Sequence, residues 1–195
     1  MSSRSPLAER TGAEREGDHR PGFLVVRADD GGTYVGGLMV TDASGLPVDF
    51  RYTDPVTPTR LQRALYGGVL DRYLRSEVVL RTLLGALERP PSVLLVDDPH
   101  LLEEPIDACP VALVAGSQVD PIGAAGARSA QGSGSFLLQA ADAAHPLRVT
   151  LPEGSPHADA VAEALVALGR RMDVLEPATR VREALAVIVA GEDGA

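Results

Sequence analysis

Val93-Leu94-Leu95-Val96 is an unbroken apolar run, preceded by Pro90-Pro91 and followed by Asp97-Asp98-Pro99-His100. A strand that is apolar at every position meets water on neither face, which is the pattern of a central strand with helices on both sides of its sheet. A parallel neighbour for such a strand requires a crossover connection, and the preceding residues supply one. Leu61, Leu65, Leu70, Tyr73, Leu74, Leu80, Leu83, Leu84 and Leu87 recur at helical spacing. Thr59 and Gln62 match a capping box, in which each side chain satisfies a backbone donor that the first helical turn leaves open. Gly67-Gly68 predicts a break that divides this stretch into two helices.

Ahead of the helix the pattern is that of strands. Residues 23–26 are apolar, Asp29-Asp30-Gly31-Gly32 signals a turn, and a second strand covers 34–41. After Asp42-Ala43-Ser44-Gly45, Val48, Phe50 and Tyr52 alternate with Asp49 and Arg51, the period of a half-buried strand. The three form an antiparallel meander. After the 93–96 run, a second buried strand is expected at 111–114, then a Gly/Ala/Ser-rich loop over 116–134, then a hairpin of strands at 136–139 and 147–151. Helical patterns at 158–172 and 178–189 close the chain. The expected fold is α/β, a mixed sheet of about six to seven strands covered by helices.

Residues 1–21 are polar, charged and aperiodic, and they read as a disordered tail. Residues 22–190 read as a single α/β domain, and 191–195 as a frayed terminus. No run reaches the roughly 18–20 apolar residues that cross a bilayer, and no apolar leader opens the chain, so a cytoplasmic protein is expected. One cysteine, Cys109, forbids an internal disulfide and suits a reducing compartment. Every basic residue is arginine. Schiff-base and P-loop lysine chemistries are therefore excluded. The net charge of −9 argues against an anionic partner; nucleic acid is not expected, and neither is a membrane.

Three places carry candidate chemistry. Asp97 and Asp98 follow the buried strand, and ligand sites in open α/β sheets lie beyond the carboxyl ends of strands. If the first strand is its parallel neighbour, Asp29 and Asp30 project from the same end, and Asp159, near His157 at a helix start, can join them. Such a gathering of carboxylates would hold Mg²⁺. Asp is also an ordinary turn residue, so the same acids have a purely structural reading. Arg60 and Arg63 stand at a helix N-terminus, where an anion is favoured. Arg128 lies in the Gly/Ser-rich loop, whose backbone N–H groups can cradle a phosphate. Nucleophile elbows, CxxC pairs and zinc-spaced histidines are missing from the sequence.

A meander, a helix and a fourth strand with acids after strands one and four is similar to the layout of the ribonuclease H-like nucleases. The resemblance covers residues 23–98 and rests on topology and acid position. In that family the first-strand acid lies within the strand, whereas Asp29 and Asp30 stand in the turn beyond it. The resemblance implies a Mg²⁺-dependent phosphodiesterase or nuclease with Asp29, Asp30, Asp97, Asp98 and Asp159 as metal ligands. The leading expectation is different. A sound core pattern without catalytic motifs reads as a non-catalytic module for a protein partner or small ligand, without a cofactor and with Arg60, Arg63 and Arg128 as ligand-binding residues. Enzymatic activity and oligomeric state are left open by the sequence.

Overall fold

The computed structural model describes residues 19–103 and 106–191. Eight strands form one sheet: β1 (Pro21–Ala28), β2 (Tyr34–Thr41), β3 (Pro47–Tyr52), β4 (Val93–Val96), β5 (Val111–Gly116), β6 (Arg128–Gly132), β7 (Ser135–Leu138) and β8 (Leu147–Thr150). Their order is β3-β2-β1-β4-β5-β8-β7-β6. β1 and β4 pair in parallel, as do β4 and β5, and every other neighbour is antiparallel. All four residues of β4 are buried, because this strand lies between two others and under helices on both faces. The mixed α/β sheet expected from the sequence is present, with eight strands in place of six or seven. The additional strand is β6, assigned from sequence to the Gly/Ser-rich loop. Arg128-Ser129-Ala130-Gln131-Gly132 has no apolar alternation. It forms a strand through backbone pairing with β7 at the sheet's edge, where few side chains need burial.

The crossover from β3 to β4 is a broken helical path. It comprises α1 (Arg60–Tyr66), a 3-10 turn (Gly67–Val69), α2 (Leu70–Tyr73), a π-helical turn (Leu74–Leu80) and α3 (Arg81–Gly85). The capping box forms as expected: Gln62 N–H donates to Thr59 Oγ1 at 3.2 Å, and Thr59 N–H donates to Gln62 Oε1 at 2.8 Å. Gly67, with φ of 51°, ends α1 in a conformation that glycine reaches without steric cost. α1 buries none of its residues. The π turn buries Leu74, Ser76, Val79 and Leu80 and seats the path on the sheet against Leu24, Val26, Leu38 and Leu94. On the opposite face, α4 (Ala158–Gly169) and α5 (Glu176–Ala190) pack Val161, Leu165, Leu168, Val181 and Leu185 over Phe23, Val25, Leu95 and Val114.

The expected tail lies almost wholly outside the described residues, as does most of the expected frayed terminus; Pro21 opens β1. Among the described residues no helix is long and apolar enough to cross a membrane.

Candidate functional site

β4 ends by delivering Asp97 and Asp98 to the carboxyl end of the sheet's parallel strands, between β1 and β5. Successive residues of an extended chain point to opposite faces, and the two carboxylates obey that rule. Asp97 turns toward α5, where Arg182 donates to Asp97 Oδ2 from Nη2 at 2.6 Å and from Nε at 3.1 Å. Asp98 turns toward the crossover helices, where Arg75 of the π turn pairs with its Oδ2. The His100 N–H donates to the other Asp98 oxygen at 3.0 Å, so Asp98 also caps the short 3-10 turn Pro99–Leu102.

The Asp98 side is the drier of the two. Arg75 and Asp98 side chains are 15% and 14% exposed, against 40% and 24% for Arg182 and Asp97. Arg75 also donates to Asp71 Oδ2 at 2.9 Å and lies 5.5 Å over the Tyr34 ring, while the Tyr34 hydroxyl donates to Asp71 Oδ1 at 2.6 Å. Burial disfavours the Asp71 carboxylate, but hydrogen bonds from Arg75 and Tyr34 outweigh it and hold its pKa below the ordinary 3.8. The Tyr34 hydroxyl is pushed up, first by burial and then by its bond to Asp71. A carboxyl with a depressed folded pKa contributes stability above its unfolded value and loses it as pH falls through the folded value. The stability gap between wild type and Asp71→Asn should therefore be widest above about pH 5 and shrink toward about pH 2 in urea titrations. A gap that stays constant over that range would refute the assignment.

Beyond the ends of β4 and β5 lies a cavity of about 430 Å³, lined by Phe23, Leu95, Asp97, Gly116, Thr179 and Arg182 among others. A second, of about 400 Å³, shares Gly116, Val174 and Leu175 with it. Together they form a crevice at the carboxyl ends of the parallel strands, where open α/β sheets bind ligands.

The remaining candidates are dispersed. Asp29 accepts the Thr33 N–H at 2.8 Å and closes the β1–β2 turn, and Asp30 is exposed in the same turn. β1 pairs with β4 so that Leu24 stands beside Val96. Asp29 lies five residues past Leu24 and Asp97 one past Val96, a four-residue offset of about 13 Å at about 3.3 Å per residue. Asp159, on α4, pairs with Arg128 of β6 at 2.7 Å, and Arg128 stands over the Phe136 ring. Arg63 donates to the carbonyls of Pro58 and Gly31, tying the helix entrance to the β1–β2 turn. Arg60 is exposed on the first turn of α1. The acids expected to share Mg²⁺, one of Asp29 and Asp30, one of Asp97 and Asp98, and Asp159, thus do not converge, and neither do Arg60, Arg63 and Arg128. Among the described residues no group of three or more His, Cys, Asp or Glu side chains could hold a metal ion. Cys109 is buried, and burial pushes its thiol up to about 11, which leaves it unreactive at neutral pH. Sequence reasoning missed Arg75 and Arg182. The Asp71/Arg75 spacing of four was a visible helical signal, whereas nothing local marks Arg182 as the partner of Asp97.

No family model matches the chain, and no curated protein matches it in sequence. Solved structures do share its fold. Endonuclease V from Streptomyces avermitilis superposes with a TM-score of 0.55 at 19% identity, over 90% of this chain and 83% of that one. Endonuclease V from Ciona intestinalis, in complex with a 23mer DNA containing an inosine followed by a ribo-adenosine, superposes with a TM-score of 0.53 at 12% identity, over 91% and 88%. Two expectations are thereby corrected. Both of these structures are of endonuclease V, against the reading as a non-catalytic module for a protein or small ligand, and one of them holds DNA, against the exclusion of nucleic acid. Net charge is a property of the whole surface, whereas a nucleic-acid site needs only a local arrangement, so composition does not exclude one. The chain has the fold of the endonuclease V structures.

Proposed function

We propose that this chain acts on nucleic acid as an endonuclease V-like protein, with the crevice beyond β4 and β5 as the place where a strand is engaged. The observation that supports this reading most is the shared fold, which spans nine-tenths of the chain and most of each nuclease. The crevice adds to it. It opens at the carboxyl end of the central strand, and Arg182, whose side chain is 40% exposed, offers a cation there. A reducing, cytoplasmic setting agrees with the lone buried thiol of Cys109.

Phosphodiester hydrolysis is the reaction that goes with this reading, and Mg²⁺ at Asp97 and Asp98 would be its first form. The residues present do not fit the ion. Mg²⁺ needs near-octahedral oxygen ligands at about 2.0–2.1 Å. Here Asp97 and Asp98 face opposite sides of the sheet, each against an arginine, and among the described residues no group of three or more His, Cys, Asp or Glu side chains could hold the ion. What the chain's own residues supply is an arginine held at a fixed place by Asp97, in an open crevice that also presents Thr179 and the apolar side chains of Phe23 and Leu95.

The test is fluorescence anisotropy with a labelled duplex and its single strand, each with and without one deoxyinosine, with gels run in parallel to follow cleavage. Binding is expected with a shallow salt dependence, a log–log slope of about −1 to −2, because few cations meet the phosphates. Arg182→Gln should weaken it about tenfold or less. Failure of every oligonucleotide to bind at low salt would overturn the reading.

A further inference from the structure

We infer that the acidic end of β4 is closed by arginines instead of by a metal, with Arg182 and Arg75 as the permanent counter-ions of Asp97 and Asp98. Three observations lead here, the first two drawn from the same ion pairs. The first is direction, since the two carboxylates leave the strand on opposite faces and meet different elements, α5 and the π turn. A single cation cannot bridge them without rebuilding the strand end. The second is occupancy of the lone pairs. Asp97 Oδ2 takes two N–H groups from Arg182, while Asp98 takes Arg75 on one oxygen and the His100 N–H on the other. The third is the neighbouring strand. Phe23, Leu24, Val25 and Val26 of β1 are all buried and apolar, so β1 brings no carboxylate alongside Asp97. A guanidinium stays protonated throughout the accessible pH range, so the closure does not open by titration of the arginine.

The inference goes beyond the nucleic-acid reading and does not depend on it. Contact with a strand at this end proceeds without a divalent ion on these acids, and Mg²⁺ changes it only as a salt would.

The full-length protein can be titrated with Mn²⁺ while the free-ion EPR signal is followed, with Asp97→Asn as the comparison and circular dichroism to confirm that both are folded. Wild type and Asp97→Asn are expected to bind alike, each no tighter than about 1 mM, the level of scattered surface carboxylates. Uptake of one equivalent by wild type below about 0.1 mM, lost in Asp97→Asn, would overturn the inference. The outcome is separable from that of the oligonucleotide experiment. DNA binding without Mn²⁺ uptake supports both readings, and neither binding nor uptake removes the nucleic-acid reading while this one stands. DNA binding with site-specific uptake removes only this one.

Discussion

Replacing Arg75 by leucine should lower the unfolding free energy by about 3 kcal/mol, measured by urea denaturation at neutral pH. The guanidinium joins three groups that have no substitute partner of equal strength. It pairs with Asp98, it donates to Asp71, and it covers the Tyr34 ring. Asp98 is 14% exposed, so removing its counter-ion leaves a charge that water reaches poorly. The cost is that stranded carboxylate more than the lost attraction. Arg182→Leu is the internal comparison. The chemistry of the pair is the same, but with the side chains of Arg182 and Asp97 40% and 24% exposed, solvent screens the loss to about 1 kcal/mol or less. Adding Asp98→Asn to Arg75→Leu removes the stranded charge and should recover about half of the deficit. Equal losses for Arg75→Leu and Arg182→Leu would show that burial does not set the difference.

The elements that the sequence discloses are those in which a local pattern and a tertiary requirement coincide. Val93–Val96 is apolar throughout and sits at the centre of the sheet; Thr59 and Gln62 have capping-box spacing and form the box. Strand β6 was hidden because an edge strand needs backbone partners more than apolar side chains. The site was less legible for a related reason. Asp97 and Asp98 could be placed at a strand end from the sequence, but their meaning lies in what faces them. Arg182 is 85 residues from Asp97 in the chain and Arg75 is 23 from Asp98. No local signal reports such pairings, so two neutralised acids and two acids poised for a metal read alike in one dimension. Asp29 shows the same limit. Its place in the turn was visible, while its use in accepting the Thr33 N–H required the folded turn.

Gly36→Ala should cost about 3 kcal/mol, although it adds only a methyl group. Gly36 lies on β2 beneath the π turn, and a Cβ there would overlap Val79 Cγ1 and stand 3.2 Å from Leu83 Cδ1. Val79 is fully buried, and a β-branched side chain in a helical backbone has essentially one rotamer, so it cannot swing aside. The helical path must lift instead, and the same π turn carries Arg75 against Asp98. The substitution should therefore act at a distance, loosening the arginine closure as well as the core beneath it. Trimming the obstacle distinguishes this account from a general intolerance of β2 to change. Val79→Ala alone opens a small cavity and costs about 1–3 kcal/mol, but in Gly36→Ala/Val79→Ala the new methyl occupies part of that space. The double variant should be more stable than the sum of the single losses predicts, by at least about 1 kcal/mol. Strict additivity would mean that the path is not seated through this contact, and the close approach of β2 to the π turn would then not be what holds Arg75 at the end of β4.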